Sequence, residues 1–133
     1  MNDCIFCKII NGEIPSATIY EDSEFKIILD RFPANPGHVL ILPKTHAENI
    51  FELNEATGAK LFALAIKTAN LLNEHLAPHG LNVLQNNGAA AGQTVNHFHM
   101  HLIPRYTNDD ISIKWNTLQL TDADIEDIRS KLI

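Results

Sequence analysis

Cysteine is scarce in this 133-residue chain: Cys4 and Cys7 are the only two, three positions apart. That leaves no material for a disulfide framework, and the pair favours reduced thiols over a structural bridge. Basic residues are few, ten Lys and Arg against sixteen Asp and Glu, for a net charge of −6. A broad surface tracking duplex phosphates needs the opposite sign, so nucleic acid is not expected as a partner. A small anion in a locally positive pocket is not excluded. No apolar run approaches the ~18 residues of a membrane span. No basic stretch leads into an apolar core after Met1, so the expectation is a cytoplasmic protein without a membrane partner. Repeats, low-complexity tracts and dividing linkers are missing as well. A chain of this length buries a core without staples, which predicts one domain over residues 1–133, with a core over about 4–105 and a tail over 106–133. There is neither a Gly-x-x-x-x-Gly-Lys-Ser/Thr loop nor a dinucleotide fingerprint, so any phosphate is held by other means.

What is present reads as α+β. Residues 4–11 suggest a short helix stopped by Gly12, and residues 17–21 and 25–30 suggest a hairpin. Gly37 to Pro43 is a buried strand. Leu61, Leu64, Ala65, Thr68, Leu72 and Leu76 recur at helical spacing, so a long helix is expected from Glu55 to Leu76, with Asn54 as its cap. Residues 81–85 form another strand, and Asn86 to Gly92 a turn. Thr121 and Asp124 resemble a capping box ahead of a small amphipathic helix carrying Ile125, Ile128 and Leu132. The sum is a mostly antiparallel sheet of about five strands, one long helix, and short helices at both ends.

The most informative segment is Asn96 to Ile103, in which His97, His99 and His101 alternate with Phe98, Met100 and Leu102. Strict alternation predicts a strand with the imidazoles on one solvent-facing side and the apolar residues in a core. Histidine is the side chain that titrates near neutrality, so three in a row suit phosphoryl or acyl chemistry, or metal binding. Cys4-x-x-Cys7 is half of a tetrahedral zinc site that needs two more ligands. Free thiols and redox chemistry remain alternatives, although the βαβ setting of a redox motif is missing.

His97 to Ile103 matches the His-φ-His-φ-His-φ-φ signature of the histidine triad superfamily, where φ is apolar. Further segments follow in the order of that family: Phe6-Cys7-Lys8-Ile9-Ile10, Gly12-Glu13-Ile14-Pro15, Pro36-Gly37-His38, Leu42-Pro43-Lys44-x-His46, Asn86-x-Gly88 and Gly92-Gln93-Thr94. Together they span about residues 4–105, and the chain resembles the Hint-like branch. The resemblance implies attack on the α-phosphorus of a nucleotide, with His99 as nucleophile, His101 beside the phosphate and His38 orienting the cluster. It implies that Asp30 holds the ribose hydroxyls and that Phe6, Ile9 and Ile28 form a slot for a purine base. Asn86, Gln93 and Thr94 would contact phosphate or leaving group. Arg31 departs from the apolar residue usual at its position in that branch. For the metal, it implies a structural, non-catalytic zinc held by Cys4, Cys7, His46 and His97.

The implied activity is hydrolysis of an adenosine 5′-phosphoramidate, a purine nucleoside phosphoramidase acting on AMP conjugates, in a homodimer built through the long helix and a neighbouring strand. Hydrolysis of a dinucleoside polyphosphate is the alternative within the class. A metal-dependent hydrolase using His99 and His101 as ligands, or a non-catalytic nucleotide-binding module, are the alternatives outside it. Lys44 and Arg105 are read as surface charge.

Overall fold

A computed structural model describes residues 3–133. Strands β1 (Thr18–Glu21), β2 (Phe25–Leu29), β3 (Val39–Pro43), β4 (Gly80–Leu84) and β5 (Met100–Arg105) form one sheet in the order β1-β2-β3-β5-β4. All four pairings are antiparallel. Helix α1 (Ile5–Ile10) lies on one face and helix α2 (Glu55–Leu76) packs on the other, while α3 (Asp122–Leu132) ends the chain. This is the α+β architecture that the patterning predicts. Among the described residues, no helix is long and apolar enough to cross a membrane.

The two faces of the sheet follow from period-two alternation. Phe25 and Ile27 of β2, Val39 and Ile41 of β3, and Met100 and Leu102 of β5 point toward α2. They meet Leu61, Ala65 and Leu72 of the anticipated stripe, with Leu64 at its edge and Thr68 buried beside it, whereas Leu76 at the end of the helix is exposed. Ile28, Leu40 and Leu42 point the other way and are covered by Phe6 and Ile9 of α1. With both faces covered, β3 is buried along its whole length, in accord with its uninterrupted apolar run.

Local chemistry sets the ends of the elements. The Asn54 carboxamide oxygen accepts from the amides of Ala56 and Thr57 and starts α2 at the expected residue. Ala77 closes it in the left-handed region, at φ 47°, before Pro78. Thr121 and Asp124 complete a reciprocal capping box for α3. Gly37 sits at φ +91°, and a Cβ there would lie 2.4 Å from Leu76 Cδ1, so the end of α2 presses directly on the loop ahead of β3.

The histidine segment departs from expectation at its start. The ladder begins at Met100, so His97, Phe98 and His99 precede the strand. The Phe98 amide donates instead to the Ala47 carbonyl at 2.7 Å, which draws this stretch toward the loop after β3. The face carrying the imidazoles is also not open to solvent. Helix α1 covers it, leaving His97 fully buried and His99 at 5% exposure. The alternation itself holds, since Phe98, Met100 and Leu102 all enter the α2 core.

Candidate active site and metal site

An open pocket of about 660 Å³ lies between α1, the end of β2 and the histidine segment. Phe6, Ile9, Ile28, Asp30, Thr94, His99 and His101 all line it, as does Arg31, the residue that departs from the apolar pattern of the branch; Ile14, Ser16, Phe32 and Leu40 join them with no signal in the sequence. The Phe6 ring meets the His99 ring edge-on, with centroids 5.0 Å apart, so the aromatic wall of the pocket also holds that imidazole.

Hydrogen bonds assign the tautomers of His99, His38 and His101. His99 donates from Nδ1 to the carbonyl of His97 at 2.7 Å, which leaves the Nε2 lone pair bare. On His38, Nδ1 accepts from the Ala34 amide at 3.0 Å, so Nε2 carries the proton and donates to His101 Nδ1 at 2.8 Å. His101 must then carry its own proton on Nε2. The cluster thus pairs a neutral imidazole having a free lone pair with a neutral imidazole having an N–H, their ring centroids 5.0 Å apart.

Electrostatics keep both rings uncharged. Burial pushes the His99 pKa below the ordinary imidazole value, with the bond to the His97 carbonyl opposing it. His101 is pushed down to about 4 by burial and by repulsion from the His99 and His38 rings, with Asp30 pulling the other way. Burial lowers His38 as well, against the raising effect of Asp30. One Asp30 oxygen accepts from the Phe32 amide at 2.9 Å and the other lies 3.5 Å from His38 Nε2.

The turn ahead of the triad winds through a short 3-10 turn at Ala89–Ala91 between Gly88 and Gly92, both at positive φ. Gln93 is buried, and its side chain is spent on this turn. Its oxygen accepts from the Gly88 amide at 2.7 Å and its nitrogen donates to the Glu48 and Val95 carbonyls. Asn86 bonds weakly to the Gly92 carbonyl at 3.5 Å. Neither Gln93 nor Asn86 lines the pocket, whereas Thr94 does.

Behind the pocket, Cys4, Cys7, His46 and His97 converge. His97 Nδ1 lies 3.5 Å from Cys4 Sγ, 3.6 Å from Cys7 Sγ and 3.1 Å from His46 Nδ1, and Cys7 Sγ lies 3.4 Å from His46 Nδ1. With zinc bonds of about 2.0–2.3 Å, the edges of a tetrahedral Cys₂His₂ site come to about 3.3–3.8 Å; the three sulfur–nitrogen distances fall in that range and the nitrogen–nitrogen one just below it, so the set fits that ion. The tautomer fits too. His97 donates from Nε2 to the Pro43 carbonyl at 2.8 Å, which turns the Nδ1 lone pair toward the thiols.

Asp30, His38 and His101 are a second convergent group, and here the chemistry of the donors argues against a metal. A ligating imidazole normally donates its other N–H to an acceptor. His38 instead accepts a backbone N–H on that nitrogen. The two rings are linked instead in a hydrogen-bond chain that runs from the Ala34 amide through His38 to His101.

A family model for the HIT domain matches residues 11–108. The chain belongs to the histidine triad family. It is 46% identical over 116 residues to a HIT protein of Bacillus subtilis, covering 86% of this chain and 80% of the relative. It is also 35% identical over 134 residues to a Schizosaccharomyces pombe protein named adenosine 5′-monophosphoramidase hnt1, covering 97% and 98% of the two chains. The crystal structure of a HIT family member from Bacillus subtilis superposes with a TM-score of 0.92 at 42% identity, covering 98% of this chain and 94% of that one. A zinc-bound histidine triad family protein from Mycobacterium smegmatis superposes with a TM-score of 0.79 at 34% identity, covering 98% of each chain. Within this HIT fold the three triad histidines have separate surroundings. His97 faces the Cys₂His₂ cluster, and His99 and His101 face the pocket.

Proposed function

We propose that this HIT protein is a nucleotide hydrolase acting at the α-phosphate, most concretely a purine nucleoside phosphoramidase that cleaves the P–N bond of an AMP conjugate. The observation that carries the reading is the complementary tautomer pair at the pocket floor: a bare Nε2 on His99 beside a protonated Nε2 on His101. The activity named for the fission-yeast relative supports the same choice of substrate class.

In this mechanism His99 Nε2 attacks the α-phosphorus, and the P–Nε2 bond forms as the P–N bond to the amine breaks. The departing amine takes the proton from His101 Nε2, and the water that attacks in the second step gives a proton back to that nitrogen, while the His38 Nε2–H stays in place and holds His101 Nδ1. Water then attacks the nucleotidyl-histidine, releases the nucleoside monophosphate and restores the bare imidazole. The base enters the slot of Phe6, Ile9 and Ile28, and Asp30 accepts the ribose hydroxyls. Thr94 offers its hydroxyl to the phosphate, while Asn86 and Gln93 act through the shape of the turn that presents it.

Cys4, Cys7, His46 and His97 would hold zinc, which would supply a structural crosslink. With four protein side chains as ligands, no position would be left for a catalytic water. The zinc-bound relative supports this assignment. We read residues 1–133 as one HIT domain that works as a cytoplasmic homodimer. An exposed tail carries Trp115 and Leu118, and Phe62 and Ile66 stand on the outward side of α2, apolar surface that a second copy would cover.

The test is a substrate panel with the purified protein. Release of AMP from adenosine 5′-phosphoramidate at a rate well above that from diadenosine tetraphosphate is expected. Preference for the dinucleotide would move the chain to the polyphosphate hydrolases, and AMP binding without turnover of either would make it a binding module.

A further inference from the structure

The hydrogen-bond chain at the pocket floor starts from a loop, and the loop has an anchor far from the pocket. The amide that fixes His38 belongs to Ala34, in the segment Asp30-Arg31-Phe32-Pro33-Ala34-Asn35-Pro36-Gly37. Its neighbour Asn35 donates from Nδ2 to the Pro104 carbonyl at 2.9 Å and to Asp109 Oδ2 at 2.9 Å. The Asn35 carbonyl in turn accepts the His38 amide at 3.1 Å. One side chain therefore ties the His38 loop both to the strand that carries His101 and to the turn after it.

Asp109 is built to hold that tie. Its side chain is only 8% exposed. Besides Asn35 it accepts Arg105 Nε and an Arg105 terminal nitrogen, each at 2.8 Å, and the backbone amides of Tyr106 and Ile111. These donors, the guanidinium foremost, hold its carboxyl well below the ordinary carboxylate range. Arg105, expected to be surface charge, is locked further by Asn82 and the Ile111 carbonyl. A carboxylate with five donors on two oxygens is a fixed point.

Resting on the phosphoramidase reading, we infer that Asn35, held by Asp109, is a positioning residue for the proton delivered to the leaving group. It touches neither pocket nor substrate. Its part is to keep the Ala34 amide on His38 Nδ1, which keeps the His38 proton on Nε2 and the His101 proton on the nitrogen facing the pocket. If the loop slips, the Nδ1–H form of His38 becomes accessible, the 2.8 Å bond to His101 Nδ1 loses its proton, and His101 is free to carry its own proton on the wrong nitrogen. The nucleophile is untouched, because His99 takes its tautomer from His97.

The experiment uses the full-length protein and the variants Asn35→Ala and Asp109→Asn. Imidazole ¹⁵N shifts read the tautomers directly and need no turnover. The wild type should show His38 Nδ1 and His101 Nδ1 unprotonated, and both variants should show mixed tautomers at these two rings with His99 unchanged. In kinetics, AMP conjugates of an alkylamine should lose about tenfold in kcat, part of the roughly hundredfold or more that a placed proton donor supplies, with KM little changed. A 4-nitrophenyl ester of AMP, whose leaving group needs no proton, should be cleaved at the wild-type rate. Unchanged tautomers in both variants, or equal loss on both leaving groups, would overturn the inference. Should wild type turn over neither substrate, the phosphoramidase reading fails on that result, and the ¹⁵N comparison still decides the positioning claim.

Discussion

His99 Nδ1 lies 2.7 Å from the carbonyl oxygen of His97, so the residue whose ring faces the cysteine pair also sets the tautomer of the ring in the pocket. Two histidines two positions apart divide structural and chemical work through one backbone bond. Replacing His99 with Gly should leave the fold and the affinity for AMP within a few-fold of wild type. It should cut turnover at least about a thousandfold, as loss of a nucleophile does. Calorimetric titration with AMP beside a steady-state assay separates the two effects.

The Cys₂His₂ cluster predicts one equivalent of zinc per chain by elemental analysis. His46→Ala should lower occupancy and reduce the unfolding free energy by about 3 kcal/mol or more, a fraction of the ~10 kcal/mol a structural zinc contributes in small folds. Because the ligands include no ring that faces the substrate, the folded fraction should still turn over after chelation. Complete loss of rate with the fold intact would assign the metal to the chemistry.

The burial of neutral histidines gives stability a defined pH dependence. His101 falls from an ordinary 6.5 to about 4 in the folded chain, so between these values the unfolded chain binds more protons. This contribution is complete above about pH 6.5 and is lost as pH falls toward 4. It is worth less than the about 3 kcal/mol of a full shift this size, since the pocket is partly open to water. His38 and His99 shift the same way, so His101→Asn should flatten the acid slope of urea-unfolding stability without removing it. Asp109 adds its loss only below its ordinary value near 3.8.

The outward apolar residues predict a dimer. Phe62 and Ile66 are 52% and 54% exposed on α2, and Val83 on the edge strand β4 is 48% exposed. Sedimentation should give twice the chain mass at micromolar concentration, and Ile66→Glu should shift the protein toward monomer. A monomeric wild type would contradict the assembly.

The long helix was legible to the residue, because the stripe from Leu61 to Leu72 and the Asn54 cap are local signals. The metal cluster could be anticipated only through the resemblance, since Cys4 and His97 are 93 positions apart. The triad was legible as alternation but not as environment. Alternation places residues on a face, and nothing in residues 96–103 tells that α1 folds over that face or that Phe98 leaves the ladder for Ala47. Gln93 looks like a free donor in sequence, yet Gly88, Glu48 and Val95 take up its whole side chain. Asn35 and Asp109 carry no periodic signature, and only the folded chain brings them to 2.9 Å.

The most direct test of the central claim is rapid quench of the enzyme during turnover of an adenosine 5′-phosphoramidate, followed by peptide mass spectrometry. The account predicts a transient AMP adduct on His99, absent from the His99→Gly variant. Full activity of that variant, with no adduct at any quench time in the wild type, would contradict it.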